Sequence, residues 1–301
     1  MSGFQASDVP DQSGRTFIVT GSNTGIGREI ANILAKRGAR VLLACRSEEK
    51  AREAMALIAR AAPDADLAFL PLDLADLDSV RAAADQAEKE ARLDGLINNA
   101  GVMFPPLSHT AQGFELQFGV NHLGHFALTG LLLPKLTQTP GSRVVVTSSL
   151  AHRRGTIQWD DLKAEQSYKK GQRYSDSKFA NMLHFAELDR RLRAAGSPVT
   201  ALGCHPGVAA TDLMRHAGPF KVVTPLFGAI LNTSAQGAWP ALQAATDPDI
   251  VPGGYYGPQQ LGESRGPSGI ATRTEEARDE ATARRLWDLS VELTGVDPQL
   301  K

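Results

Sequence analysis

Tyr174 and Lys178 stand four residues apart in Tyr174-Ser175-Asp176-Ser177-Lys178, which opens an amphipathic helical pattern. Residues at that spacing lie one turn above each other on one helix face, so a phenol and an ammonium would point into the same space. A phenol ionises near pH ~10 and moves protons poorly at neutrality, but a nearby cation favours its anion and should lower its pKa. Ser148-Ser149 ends an apolar run just upstream, the position at which open α/β sheets present groups to a ligand. The chemistry these types suggest is proton transfer at a substrate oxygen.

The elements that must hold these groups follow from the rest of the chain. Phe17-Ile18-Val19-Thr20 reads as a strand, followed by Gly21-Ser22-Asn23-Thr24-Gly25-Ile26-Gly27 and a helix through Arg37 ending at Gly38. Strand, glycine-rich turn and helix in that order place free backbone N–H groups and a positive helix end where a pyrophosphate can sit. The next strand, Val41 to Cys45, ends at Arg46. In a nucleotide-binding topology that position faces the adenosine ribose, where an acid suits a free 2′-hydroxyl and an arginine suits a 2′-phosphate. Arg46 therefore favours NADP(H) over NAD(H), the alternative being a solvated arginine that starts a helix from Ser47 to Ala62. Strand three, Leu67 to Leu72, runs into Asp73-Leu74, and Asp73 suits either an adenine amino group or the cap of a local turn. A helix from about Leu77 to Arg92 leads to strand four, Leu96-Ile97. That strand breaks at Asn98-Asn99-Ala100-Gly101, small and amide residues that let the backbone pass close to a ribose. Such alternation predicts an α/β fold, a Rossmann-type doubly wound parallel sheet with helices on both faces.

Asn121 falls near the middle of a helix expected over Phe114 to Leu133. Its amide competes for backbone hydrogen bonds, so that position asks for a reason. His122 and His125, three apart on the same helix, lack the companion Cys, Asp or Glu of a metal site and read as packing or surface groups. Strand five, Arg143 to Ser148, delivers Ser149. The polar segment from Ala151 to Arg173 reads as a loop inserted over the site. After the Tyr174 helix, strand six, Val199 to Cys204, leads to His205-Pro206-Gly207-Val208 and Thr211, a turn over which a nicotinamide could lie with Thr211 on its carboxamide. The apolar, proline-broken stretch from Leu213 to Ile230 suits a substrate lid or a pair of packed helices equally. A helix from Ser234 to Ala245, a strand and turn at Gly253 to Pro258 and a helix from Ala277 to Leu293 complete the chain.

The 32 basic and 33 acidic side chains among 301 residues leave a net charge of -1, which gives no polyanion-binding surface and no nucleic-acid partner. Cys45 and Cys204 lie in apolar runs and need no disulfide, which suits a reducing compartment. Met1 to Gly14 is polar, and no run of about 18 apolar residues follows, so a cytoplasmic protein without a membrane anchor is expected. With no linker or repeat, one domain is expected, its core about 14–211 and its substrate-covering and C-terminal region about 212–301.

Thr20-Gly21-x-x-x-Gly25-x-Gly27, Asp73-Leu74, Asn98-Asn99-Ala100-Gly101, Asn121, Ser149, Tyr174-x-x-x-Lys178 and Pro206-Gly207 together resemble the short-chain dehydrogenase/reductase superfamily. Ala44-Cys45-Arg46, the run from Val120 to Phe126, the run from Asp176 to Asn181 and the run from Arg284 to Asp288 are similar to its retinol-dehydrogenase-like branch. The resemblance implies a hydride transfer between NADP(H) and a hydrophobic carbonyl compound or its alcohol. Tyr174 would be general acid or base, Ser149 would hydrogen-bond the reacting oxygen, Lys178 would hold the nicotinamide ribose, and Asn121 would keep a water in a proton relay. Gly21, Ser22, Asn23, Gly25, Ile26, Gly27, Arg46, Asp73, Leu74, Asn99, Ala100, Gly101, Pro206, Gly207, Val208 and Thr211 would line the coenzyme with Tyr174 and Lys178. It also implies a homo-oligomer built through the Asn121 and Tyr174 helices. The wording around Tyr174 is similar, too, to light-dependent protochlorophyllide reductase, a C=C reductase, and a non-catalytic NADP(H)-sensing protein is the alternative outside enzymes.

Overall fold

In a computed structural model the described residues are 3–208 and 232–300, so Thr211 and the Leu213 to Ile230 stretch lie outside them. Among the described residues there are eight strands, most of them apolar runs bounded by turns: β1 Thr16–Thr20, β2 Arg40–Cys45, β3 Leu67–Pro71, β4 Gly95–Asn98, β5 Arg143–Thr147, β6 Thr200–Cys204, β7 Tyr255–Gln260 and β8 Arg265–Ile270. They make one sheet in the order β3-β2-β1-β4-β5-β6-β7-β8. All neighbours pair parallel except β7 with β8. The order turns back at β1 and β4, the switch point at which such sheets open a crevice.

Successive strand residues point to opposite faces, and both faces are covered. Phe17 and Val19 pack with Ile30 and Leu34 of α1 (Gly25–Lys36) and Ala241 of α7 (Ser234–Thr246). Ile18 packs on the other face with Val80 of α3 (Leu77–Ala87), Phe126 of α5 (Gly124–Thr137) and Leu183 of α6 (Lys170–Ala194). The remaining α-helices among the described residues are α2 (Glu48–Ala61), the single turn α4 (Leu116–Phe118) and α8 (Glu280–Thr294). Register fixes the functional edge. Thr20 pairs with Ala44, Asn98 with Val146 and Thr147 with Cys204, so the turns carrying Gly21, Asn99, Ser149 and Pro206 leave the sheet along one side.

Several elements differ from the sequence reading. The helix after Asp73 stops at Ala87. The Tyr174 helix begins at Lys170, so Tyr174 enters in its second turn. Between α4 and α5 the chain makes a π-helical turn, Gly119–Leu123, with Asn121 at its centre. Beyond the expected strands, β8 adds an antiparallel edge, itself bridged by Phe4. Helix α8 lies over the outer face of α5 and α6: Trp287 stacks on His184 with centroids 6.0 Å apart and meets Phe126 edge-on at 5.1 Å. Among the described residues no helix is long and apolar enough to cross a membrane.

Candidate active site

The turn after β1, the ends of β2 and β3 and the turn after β4 enclose a cleft of about 330 Å³. Gly21, Asn23, Gly25, Ile26, Gly27, Arg46, Asp73, Leu74, Asn99, Ala100 and Gly101 all line it. Two glycines are required by shape. Gly21 has φ 67°, and a Cβ there would come within 3.0 Å of Ala100, while one on Gly27 would run into the Gly21 carbonyl and the Asn99 amide. Thr20 ties the two turns together, its hydroxyl accepting from Asn99 N and Ala100 N, each at 2.9 Å. Asn99 Nδ2 returns a bond to the Thr20 carbonyl at 2.9 Å. Ser22 behaves differently from its neighbours: its hydroxyl is buried beneath the turn with no partner among the described residues.

Arg46 is 79% exposed at the outer end of the cleft, 4.0 Å from the Asp73 carboxylate. Asp73 meets both descriptions given it above, since it lines the cleft while its Oδ1 accepts from Ala75 N at 2.9 Å. A glycine-walled cleft with the N-terminus of α1 at its floor and a guanidinium at its rim fits a dinucleotide. Pro206, Gly207 and Val208 leave β6 on the far side of Ser149. Gly207 N donates to His205 Nδ1 at 3.2 Å, and Val208 N donates to the Ser264 carbonyl at 2.9 Å.

The four groups expected to act on substrate come together between these turns, with Tyr174, Lys178 and Asn121 buried and Ser149 half-buried. Ser149 leaves β5 and caps a short 3-10 turn, its hydroxyl accepting from Ala151 N at 3.2 Å. The same hydroxyl lies close enough to the Tyr174 phenol to favour its anion. Ser148 is spent elsewhere, donating to the Lys178 carbonyl at 2.7 Å. Lys178 Nζ donates to the Thr147 carbonyl at 3.2 Å and stands 5.9 Å from the centre of the Tyr174 ring. A Cβ on Gly101 would sit 3.1 Å from Asn121 Oδ1 and 3.5 Å from Lys178 Nζ, so the turn after β4 closely adjoins these two side chains.

Asn121 has its reason for being in a helix. Its Oδ1 accepts from Val102 N at 2.8 Å, and its Nδ2 donates to the Val102 carbonyl at 3.1 Å and to Ser177 Oγ at 2.9 Å. The amide therefore clamps the turn after β4 to α6, and the π turn frees the local ladder to allow it. Its carbonyl bonds His125 Nδ1 at 3.0 Å, while His125 Nε2 meets the Thr20 hydroxyl at 2.9 Å. His125 was not among the expected site residues, although it links Asn121 to the coenzyme turn. A partner 105 residues away in sequence leaves no local signal. His122 instead faces α8, its Nε2 bonded to Ser290 Oγ at 2.9 Å.

Burial sets the titration behaviour of the pair. It pushes the Tyr174 phenol up to about 12, with the neighbouring Ser149 hydroxyl only partly opposing it. Burial also brings Lys178 down to about 8, against a small upward pull from Cys204. The expected lowering of the phenol by its neighbour is therefore not found in the chain alone. At the pH where this phenol ionises, Lys178 has already lost its proton and offers no cation.

The family model described as short chain dehydrogenase matches residues 15–221. The chain is 43% identical to human (Homo sapiens) retinol dehydrogenase 11 over 286 residues, covering 94% of this chain and 86% of the relative. The crystal structure of an uncharacterized protein from Mycobacterium Paratuberculosis superposes with a TM-score of 0.83 at 40% identity, covering 99% of this chain and all of that one. A short chain dehydrogenase from Shigella flexneri, described as complexed with NADP, superposes at 0.63 with 27% identity over 79% of this chain and 93% of its own.

Proposed function

We propose a specific activity for a chain that belongs to the short-chain dehydrogenase/reductase superfamily: NADP(H)-dependent interconversion of a hydrophobic carbonyl compound and its alcohol, with Tyr174 as general acid and base. Membership makes the chain an oxidoreductase of carbonyl or alcohol groups similar to the retinol dehydrogenases. The observation that carries the finer reading is the convergence of Ser149 on the Tyr174 phenol with Lys178 and Asn121 behind it, next to a dinucleotide-shaped cleft.

In this reading the glycine turn and the start of α1 hold the pyrophosphate, and Arg46 receives a 2′-phosphate. Val208 flanks the nicotinamide. The coenzyme supplies the hydride. Ser149 and Tyr174 donate to the substrate oxygen, whose negative charge grows toward the transition state, so their bonds strengthen where they lower the barrier. Lys178 holds a ribose hydroxyl. Its low pKa lets it pass a proton near neutrality, toward a water kept by the second lone pair of the Asn121 carbonyl. The buried free thiols Cys45 and Cys204 support a cytoplasmic setting.

The test is NADPH oxidation with a panel of medium-chain aldehydes, aryl ketones and cyclic ketones, repeated with NADH. Turnover of apolar members with a preference for NADPH is expected. Silence across the panel with both coenzymes overturns the activity, and equal use of the two coenzymes overturns the coenzyme assignment alone.

A further inference from the structure

We propose that the groove beside Phe104 is a substrate-tail site that takes an acyl chain ending in a carboxylate. The proposal rests on the oxidoreductase reading above and names a substrate class for it. Phe104 is the shared wall. Its ring lies edge-on to Tyr174 with centroids 5.5 Å apart, and it also lines a concavity of about 580 Å³ between the runs Phe104 to Leu107 and Tyr168 to Lys170. Its backbone is left-handed, φ 59°, a conformation that a bulky residue keeps only where its surroundings impose it.

Buried Gln117 imposes it. Its Oε1 accepts from Phe104 N at 3.0 Å, and its Nε2 donates to the Lys170 carbonyl at 3.0 Å. Tyr168 completes the frame by donating to the Pro105 carbonyl at 2.8 Å. The loop after β4 and the inserted segment before α6 are thus locked into one wall in advance of any occupant, which lowers the ordering cost of binding.

The chemistry of that wall changes along its length. Near Tyr174 it is apolar, with Phe104, two prolines and Leu107, the last 45% exposed. At its rim Lys169 and Lys170 are exposed and, among the described residues, make no ion pair. The nearby acids are engaged: Asp161 pairs with Arg173, and Glu115 accepts from Gln117 N and Phe118 N. Lys170 lies one helical turn before Tyr174, about 6 Å along the axis. An apolar wall whose Phe104 ring touches the Tyr174 ring behind it, with two ammoniums at the rim, complements a chain with a carbonyl at one terminus and a carboxylate at the other.

The experiment compares kcat/KM for decanal and 10-oxodecanoate in the wild-type protein and in the double variant Lys169→Ala/Lys170→Ala, together with direct calorimetric binding of sebacate. The oxo acid should be preferred about tenfold at low salt, with the preference shrinking as ionic strength rises. In the double variant the ratio should fall near one and sebacate binding should weaken to match. A second variant, Phe104→Gly, suits the left-handed backbone, so its Tm should hold while KM for decanal rises severalfold. Turnover without a preference for the oxo acid, or a preference that survives the lysine substitutions, overturns the groove and leaves the oxidoreductase reading standing. Sebacate binding that depends on the lysines while no carbonyl compound is turned over sinks the oxidoreductase reading instead and keeps the groove as an anionic-tail site.

Discussion

The cleft around Gly21 and the pocket around Tyr174 share one sheet edge but are built from different materials. The cleft carries Gly21, Gly25, Gly27 and Gly101 in its wall, with the Arg46 guanidinium 79% exposed at the rim. The pocket is made of side chains withdrawn from water, with Tyr174 7%, Lys178 3% and Asn121 0% exposed. The difference follows from what each must do. A dinucleotide is already charged and is met by fixed N–H groups, whereas proton transfer needs groups whose pKa values a low-dielectric setting can move. The Thr20 hydroxyl and His125 ring join the two, so the glycine turn and Asn121 cannot shift independently.

That contrast is broken most severely at Tyr174. In Tyr174→Phe, kcat should fall by about 10²- to 10⁴-fold, the usual worth of a positioned proton donor. Coenzyme affinity should change by no more than about twofold, because the cleft keeps its backbone donors. Fluorescence titration with NADPH beside steady-state rates checks both, and full turnover would remove Tyr174 from its role.

A smaller effect is expected at Arg46. Arg46→Asp should lower kcat/KM with NADPH by about 10- to 100-fold, the range for losing a charged hydrogen bond, while NADH is affected far less. An unchanged coenzyme ratio would return Arg46 to the solvent.

The smallest concerns burial alone. His184 lies between Phe126 and Trp287 with neither ring nitrogen partnered among the described residues, and burial takes it down to about 3. Below pH ~6.5 the unfolded chain binds a proton there that the folded chain refuses, so stability falls as pH falls, by about 1.4 kcal/mol per pH unit until the folded pKa is reached. His184→Phe should flatten that acid limb by this slope in urea melts between pH 6 and 4. An identical limb in the variant would show that His184 does not titrate on unfolding.

The order of strands and helices was legible because each is a local pattern closed by a turn, and the residues at the strand ends followed from it. Three features were not. Helix α6 starts at Lys170 behind Lys169, which makes no side-chain cap, so no capping residue announced it and the apolar stripe from Phe179 set the reading instead. The π turn at Asn121 depends on a clamp to Val102 and Ser177, partners outside any helical window. Strand β8, Arg265-Gly-Pro-Ser-Gly-Ile, has the composition of a loop and is a strand only because β7 offers it an edge. At the site, Gln117 and the left-handed Phe104 escaped for the same reason: their meaning lies in contacts with the inserted segment, whose path no periodicity predicts.

Helix α8 has a further consequence. The outer flank of α5 and α6, through which copies would have met in the assembly expected from the Asn121 and Tyr174 helices, is already tenanted by Trp287 and Ser290 of the same polypeptide. The chain's own C-terminal helix thus braces, from the side, the two helices that carry Asn121's neighbours and Tyr174.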